Sequence, residues 1–476
     1  MQFNSYSYIL LLIPAVALFW ALPPVLRRWH VLAVSIAYYA TWSVPVLAVP
    51  LVLCAGVQFA TTMVIRRPSQ MLRWFRAGVS WVLVIFLVFR YREIVQGVLA
   101  QISAGPAAAL FSLAVPLGIS FYSFECISYL IDAKQGRIKQ SRFFDLYLFN
   151  MFWPHLMAGP IVRFRELAPQ FSFSKKFELG MLLRGLDRLV WGLVQKNVFA
   201  NSLGGWVDVG FQNNAVHTNL MVDNWTLAAA FGLQVYFDFA AYSNMAIGVA
   251  QFIGVTLPEN FRFPYHALTP PDFWSRWHMT LSRWIRDYLF FPVNTRFRGA
   301  PAPLYVSLVG VMGLVGLWHG IGWGFVLWGV MHGAYLVAYR VWEGLRDSRF
   351  PSLADSAAVR WAWRVATLVA VTAAWIPFRA ATAADGVHML ATMFGRFRFG
   401  MSYALNFYLL TAVCALFCVV EPFLCAVWHR VEAALADRPL ALSVASYLLR
   451  PAIYATGLLF FVMFDDRGAQ FIYFQF

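Results

Sequence analysis

Charge is scarce in this chain. Its 476 residues hold 37 Lys and Arg and 22 Asp and Glu, 12% of the total, where soluble globular proteins carry about 25%. Cysteine is scarce as well: Cys54, Cys126, Cys414, Cys418 and Cys425 all lie in apolar runs, with no CxxC among them. They read better as buried thiols acting as small apolar side chains than as zinc ligands or a disulfide. No GxSxG elbow, GxxxxGK[ST] loop, HExxH or GxGxxG is present, so metal hydrolysis, nucleoside triphosphate hydrolysis and dinucleotide chemistry lack their usual parts, and no metal is expected. Internal repeats, low-complexity segments and a soluble domain are missing too. So are the paired broken helices that many transporters carry in corresponding halves.

What is there is apolar. Hydrophobic residues make up 61% and aromatic residues 18%. A soluble fold cannot hide that much apolar surface, and disordered chains are poor in aromatics. The apolar stretches have helical length rather than the ten-residue alternation of an outer-membrane barrel, so the expected fold is an all-α polytopic membrane protein. At about 20 residues per crossing the chain allows about ten or eleven spans. The net charge of +15 reads as Lys and Arg gathered in cytoplasmic loops rather than as a nucleic-acid surface.

The first positive charges, Arg27 and Arg28, follow the apolar run Tyr8–Leu26. A cleavable signal has the reverse order. This order places the N-terminus outside and the Arg pair in the cytosol, and Pro14, Pro23 and Pro24 predict a kinked first span. Further spans are expected near Val31–Thr41, Val46–Ile65, Val79–Phe89, Ala107–Ile131, Met181–Ala200, Trp225–Ile253, Trp361–Trp375, Tyr403–Val420 and Ala441–Phe464, with two or three helices across Leu304–Val341, interrupted by Gly320, Gly322 and Gly324. Arg66, Arg67, Arg73 and Arg76 mark one cytoplasmic loop, and Lys134, Arg137, Lys139 and Arg142 another. Phe152–Glu178 mixes Pro, Gly, Arg and aromatics and reads as a re-entrant or interfacial segment. The whole chain, 1–476, reads as one membrane domain.

Ionisable groups inside apolar runs are costly and therefore candidates for function. His319 lies in GLWHGIGWGF, and His332 follows 13 residues later in LWGVMHGAY. On one uninterrupted helix that offset is about 220° and roughly 20 Å, too far for one small site, unless the glycines between them break the helix. Either histidine can instead be a hydrogen-bonded packing residue. The segment PPDFWSRWHMTLSRWIRDYLFFPV carries Arg276, Arg283 and Arg286 at spacings of seven and three, one helical stripe. Two readings stay open for it: an interfacial helix with an aromatic belt and snorkelling arginines, or a cationic rim that binds a phosphorylated ligand. Asp238 and Glu125 are acids in apolar runs and are expected to pair with a cation or a hydroxyl.

Several segments together resemble one family. FWPHLMAGPIVRFRELAPQF (Phe152–Phe171), LQVYFDFAAYSNMAIG (Leu233–Gly248), LPENFRFPY (Leu257–Tyr265), FWSRWHMTLSRWIRDYLFFP (Phe273–Pro292) and GLWHG with its downstream WGVMHG (Gly316–Gly333) are similar to ordered motifs of the membrane-bound O-acyltransferases, or MBOAT proteins. They are most similar to the bacterial branch that serves alginate O-acetylation. GISFYSFECISYLID (Gly118–Asp132), WIPFRA (Trp375–Ala380) and FIYFQF (Phe471–Phe476) fit as well. The core motifs fall within residues 150–345. Where the branch usually has FSGYSD, this chain has FAAYSN, Phe239 to Asn244. A role that needs a carboxylate at Asn244 is therefore lost, while a hydrogen-bonding role survives.

The resemblance implies acyl transfer from a thioester to a hydroxyl, in a ring of transmembrane and re-entrant helices around a central tunnel. It places the signature histidine at His319 and a second polar position at His278. It also implies acetyl-CoA as the cytoplasmic donor, a location in the bacterial inner membrane, and periplasmic O-acetyltransferase partners that modify an exopolysaccharide, with alginate ahead of cellulose or a cell-wall polymer. The chemistry suits the residues. Histidine titrates near neutral pH and can deprotonate the acceptor hydroxyl. Backbone N–H groups near Gly320 or the Trp318 indole can meet the oxyanion. The phosphates of CoA need a cationic mouth, for which Arg276, Arg283 and Arg286 are the first candidates and Arg163 and Arg165 the next. Two rival classes are a transporter and a non-catalytic anchor that recruits periplasmic enzymes.

Overall fold

The computed structural model describes residues 3–92, 94–97, 115–140, 142–217, 220–295, 301–353, 356–395, 400–436 and 450–464. The aromatic tail Phe471–Phe476, residues 107–114 of one expected span and residues 441–449 of another lie outside them. Helix is the sole regular structure among the described residues. Among the described residues, four helical stretches are long and apolar enough to cross a membrane: Pro45–Arg66, Pro68–Arg90, Ala357–Arg379 and Leu405–Val427. Three shorter ones, Tyr6–Ala21, Pro303–His319 and Arg450–Met463, are also apolar. Leu409, Val413, Leu416, Phe423 and Leu424 on the Leu405–Val427 stretch are all exposed, the outward apolar surface that lipid rather than water would cover. Cys425 is exposed beside them, whereas the sequence placed it with the buried thiols; Cys414 and Cys418 are buried.

The chain divides into two compact units. The first comprises residues 1–189 and 242–259. It opens with α1 (Tyr6–Ala21), α2 (Pro24–Ala40), α3 (Ala48–Arg66), α4 (Met71–Arg90), α5 (Ile119–Lys134) and α6 (Phe143–Met151). The expected first span, Tyr8–Leu26, is cut short because Pro23 and Pro24 end α1 and start α2; Pro24 sits at the first helical position, where its missing N–H costs nothing. Arg27 therefore lies in the first turn of α2. It is buried, donating to the carbonyls of Phe173 and Lys175 at 3.0 Å each, so its charge is spent on joining segments as well as on topology. Helix α3 packs on α4, α5 and α6. Gly78 permits the close approach of α4, since a Cβ there would stand 2.8 Å from Ala60 Cβ and 2.9 Å from Leu130.

The segment after α6 is the expected non-helical one. Residues Phe152–Val162 are buried without regular helix, and a single short turn, Phe164–Leu167, follows. Such backbone is tolerated at membrane depth because protein covers it. Gly118 starts α5 with φ 73°, and a Cβ there would collide with the Leu156 carbonyl, so the segment packs on a spot where only glycine fits. His155 Nε2 donates to Phe149 O at 3.2 Å while its Nδ1 stands 3.3 Å from Glu125 Oε1. Burial pulls the His155 imidazole down to about 4, so it is neutral at pH 7. A neutral imidazole is neither the cation nor the hydroxyl expected for Glu125; with Nε2 donating to Phe149, Nδ1 can only accept, so this contact is a hydrogen bond only when the Glu125 carboxyl carries the proton.

The second unit comprises residues 190–241 and 260–476. Helix α7 (Leu179–Val194) ends at its border and runs into a π-helical turn, Gln195–Ala200, followed by α8 (Asn201–His217) and α9 (Met221–Phe252), whose residues to Ala241 belong here. Two seven-residue helices, α10 (Pro270–Arg276) and α11 (Met279–Ile285), come next, then α12 (Pro301–His319), α13 (Trp323–Arg349), α14 (Ala357–Arg379), α15 (Ala383–Gly395), α16 (Leu405–Ala436) and α17 (Arg450–Met463). Lys196, in the π-helical turn, pairs with Asp238 of α9 at 2.7 Å, both buried. This is the cation that Asp238 required. At the start of α9, buried Asp223 accepts from Tyr408 Oη at 2.5 Å and from Ser402, tying Ser402 and α16 to that helix end. Helices α12 and α13 form an antiparallel hairpin packed along its length. Glycines make that approach possible: a Cβ on Gly329 would collide with the Met312 carbonyl, and one on Gly333 would stand 2.6 Å from Val309 Cα.

Candidate active site

The second unit holds His278, His319 and His332 in one aromatic neighbourhood. Each is positioned by a break in helix. Pro270 and Pro271 start α10, with Thr269 capping it through a bond from Asp272 N at 3.3 Å. Helix α10 stops at Arg276 because Trp277 is extended and His278 sits at φ 40°, the left-handed region that a residue with a Cβ rarely adopts. The LPENFRFPY segment holds this strained link in place: Met279 N donates to Asn260 O at 2.8 Å, and Arg262 N to Arg276 O at 2.9 Å.

The tautomer of His278 follows from the same contacts. Asn260 Oδ1 receives the Thr280 N–H at 3.4 Å and the Thr280 hydroxyl at 2.9 Å. Since a backbone N–H can only donate, that atom is the amide oxygen. His278 Nδ1, 3.0 Å from it, must therefore carry the proton. In the neutral ring Nε2 is then a lone-pair acceptor. It is buried and has no hydrogen-bond partner among the described residues. Burial first, and His319 second, hold the His278 imidazole well below its ordinary range. The second cause means that a charge on His319 would be felt at His278. Phe239 meets the His278 ring edge-on at 4.6 Å, and Phe261 stacks on it at 6.3 Å.

His319 is the last residue of α12 and is buried. Its ring lies 4.7 Å from Trp318, 5.2 Å from Trp328 and 5.1 Å from Phe378, centroid to centroid. The helix ends there because Gly320–Gly322 turn the chain into α13. A Cβ on Gly320 would collide with the Phe325 ring, and one on Gly324 with the Pro377 carbonyl of α14. The glycines flanking His319 thus let Phe325, Phe378 and Trp328 close around it. Because they break the helix, the 20 Å separation of an uninterrupted rod does not apply. His332 lies 4.9 Å from the Trp328 ring that His319 also approaches. Trp274 completes a triangle, 5.1 Å from His332 and 5.9 Å from Trp328. Trp274 Nε1, Trp328 Nε1 and His332 Nε2 are all buried with no hydrogen-bond partner among the described residues. An unmade buried bond costs about 1–3 kcal/mol, so three in one triangle are a concentrated cost.

The arginines are placed less uniformly than their spacing predicted. The break at Trp277–His278 puts Arg276 on a different helix from Arg283 and Arg286, so there is no single stripe. Arg276 is held by Asp272 at 2.7 Å, an i,i+4 pair on α10. Arg286 pairs with Asp287 at 2.9 Å and is exposed, and Arg283 is exposed on α11. Arg163 and Arg165 belong to the first unit, where Arg163 stands 3.7 Å from Glu166 and Arg165 is exposed. Asn244 is also in the first unit. Its amide oxygen accepts from Arg188 Nη1 at 2.7 Å, and Arg188 pairs with Glu259 as well. The hydrogen-bonding role open to Asn244 is therefore filled by Arg188, which also pairs with the Glu259 carboxylate. Three partners escaped the sequence reading: Asn260, Lys196 and Glu421, a buried acid on α16 that accepts from Tyr236 Oη at 3.1 Å. The acid in an apolar run was a usable signal for Glu421. Asn260 lay inside the LPENFRFPY motif, but its role could not be read there because it depends on a strained link 18 residues away.

The chain is similar in sequence to known proteins. Residues 29–376 match the membrane-bound O-acyltransferase family, MBOAT. The chain is 33% identical to the "Probable alginate O-acetylase AlgI" of Azotobacter vinelandii over 405 residues, 83% of this chain and 78% of that protein. It is 32% identical to the peptidoglycan O-acetyltransferase of Helicobacter pylori over 405 residues, 78% of this chain and 74% of that one. It is 29% identical to the teichoic acid D-alanyltransferase of Bacillus subtilis over 236 residues, 48% and 59% of the two chains. With a matching region that takes in His278, His319 and His332 and most of the apolar helices, the chain belongs to the membrane-bound O-acyltransferase family and is a membrane acyltransferase.

Proposed function

We propose that the protein is a multi-pass inner-membrane O-acetyltransferase that takes acetyl from cytoplasmic acetyl-CoA and passes it across the membrane for O-acetylation of an exopolysaccharide, alginate first. The observation that carries this reading is two buried histidines in one aromatic neighbourhood, His319 at a helix end closed in by Trp318, Trp328 and Phe378 and His278 locked in a single tautomer by Asn260. His319 is the base. As the acceptor oxygen attacks the thioester carbonyl carbon, His319 takes the hydroxyl proton; the C–S bond then breaks, and His319 returns the proton to the departing thiolate. His278 assists through Nε2, which can accept a hydrogen bond from the acceptor hydroxyl and orient it. The aromatic wall of Trp318, Trp328 and Phe378 keeps water from the thioester. Arg283 and Arg286 are the first candidates for the CoA phosphates because both are exposed, with Arg276, Arg163 and Arg165 behind them. The same reading includes ten or eleven spans around a central tunnel and periplasmic acetyltransferase partners that finish the modification.

A second reading keeps the chemistry and changes the acceptor to a cell-wall polymer. Its support is the similarity to the Helicobacter pylori peptidoglycan O-acetyltransferase, which covers nearly as much of the chain as the alginate relative does. The test of the enzyme is acetate released by mild base from the secreted polymer and, separately, from the cell wall, normalised to protein in the membrane. Loss of a general base costs about 10²- to 10⁴-fold in rate, so His319→Gln should abolish acetylation while the protein still inserts. Near wild-type acetylation by that variant would revive the anchor reading. The fraction that loses acetate identifies the polymer.

A further inference from the structure

Trp274 and His332 have no part in the chemistry assigned to His319 and His278, yet they form a triangle with Trp328, the wall residue that also lies against His319. Its three nitrogens lie on rings that all touch one another, at 5.1, 4.9 and 5.9 Å between centroids. His332 and Trp328 are almost wholly buried, at 1% and 2% exposure. Their placement is built into the fold. Gly329 and Gly333 face α12 and pin one side of α13 to it. His332 and Trp328, four residues apart, share a neighbouring side, where Phe273 and Trp274 of α10 meet them.

The triangle holds no permanent charge: its two indole N–H groups can only donate, its imidazole nitrogen donates or accepts according to tautomer, and neither a carboxylate nor a Lys or Arg belongs to the three. Such a site rejects phosphate and ammonium groups, which need an opposite charge. It suits a neutral group rich in lone pairs, such as an amide or thioester carbonyl, lying against flat aromatic rings. Its place in the chain supplies the direction. Helix α13 begins beside His319 and ends in Arg340, Arg346 and Arg349, the end that the positive-inside rule puts in the cytosol. His332 stands between the two, about 14 Å along the helix at 1.5 Å per residue.

The geometry points to His332, Trp274 and Trp328 as a positioning subsite for the uncharged arm of the acyl donor, binding its amide or thioester carbonyls so that the acyl carbon arrives at His319. This rests on the proposed use of a cytoplasmic thioester donor. These are positioning residues, so their loss weakens donor binding and leaves the proton chemistry of His319 in place.

The experiment is a titration of purified protein in nanodiscs with S-acetyl-pantetheine, which lacks the nucleotide, and in parallel with acetyl-CoA. Trp274→Phe and His332→Phe keep ring and bulk and remove the nitrogen; Trp342→Phe, on the same helix outside the triangle, is the control. One neutral hydrogen bond is worth about fivefold in affinity. Each triangle variant should weaken both probes by about that factor, with little response to salt, with kcat nearly retained and the acceptor KM unchanged, while Trp342→Phe binds as wild type. Thermal melting confirms which variants are folded, and one folded variant of the two is enough to decide. Unchanged donor affinity overturns the subsite, and so does a rise in the acceptor KM in place of the donor's. If wild type binds neither probe, the donor reading and the subsite fall together. An active His319→Gln variant would overturn the catalytic assignment alone, because the binding data do not depend on turnover.

Discussion

At the scale of single residues, the site is a set of histidines whose freedom has been removed. His278 shows this best: its backbone is in a sparsely allowed conformation, and its Nδ1 proton is committed to Asn260. Its depressed basicity follows from burial and from His319, so it stays neutral through the physiological range and can serve as an acceptor. This makes Asn260 a residue of consequence that touches no substrate. Asn260→Leu would leave His278 Nδ1 and the Thr280 hydroxyl without their acceptor and would free the ring to rotate. Acetyl transfer should fall by roughly 10- to 100-fold, the range seen when an orienting partner behind a functional histidine is lost. Asn260→Asp, which keeps the acceptor, should recover part of it. The measurement is acetate transferred per inserted protein; full activity in Asn260→Leu would show that His278 needs no such hold.

At the scale of elements, glycine decides where histidine can go. The hairpin of α12 and α13 brings His319 and His332 to one tryptophan, Trp328, because the chain can turn at Gly320–Gly322 and because Gly329 and Gly333 let two backbones touch. Close packing through small residues is the main source of helix association in lipid, where apolar side chains gain little from leaving a solvent as apolar as themselves. Gly333→Leu would force α13 off Val309, and overpacking of this kind costs about 1–3 kcal/mol. Gly344, on the same helix, has open space around it, so Gly344→Leu should be near neutral. A lower melting temperature for the first substitution and an unchanged one for the second, measured in the same detergent, is the expected result. Equal melting of the two would remove the hairpin contact from the account.

At the scale of the whole molecule, the distribution of charge assigns the sides of the membrane. Arg66, Arg67, Lys134, Arg137 and Lys139 cluster between or beside apolar helices, and Lys139 is exposed, where positive charge marks the cytoplasmic face. A lone cysteine introduced as Lys139→Cys, with the five native cysteines replaced, should resist an impermeant thiol reagent in intact cells and react after permeabilisation. Labelling from outside would invert the topology, and with it the face from which a donor reaches His332.

The sequence alone determined the class of protein, its family and the identity of its candidate histidines. Composition excludes a soluble fold by arithmetic, and ordered motifs survive as strings of letters whatever their geometry. The need of Asp238 and Glu125 for partners was legible too, because an isolated charge in an apolar run is costly wherever the chain goes. Tertiary structure chose the partners. Lys196 reaches Asp238 only because a π-helical turn places it there, and Asn260 fixes His278 only because a left-handed residue bends the chain back to it. The arginine stripe and the distance between His319 and His332 were both read from an unbroken helix, and both changed where the helix breaks. Periodicity describes a helix from within. Where the helix ends is set by packing against segments distant in sequence, and that decides which side chains meet.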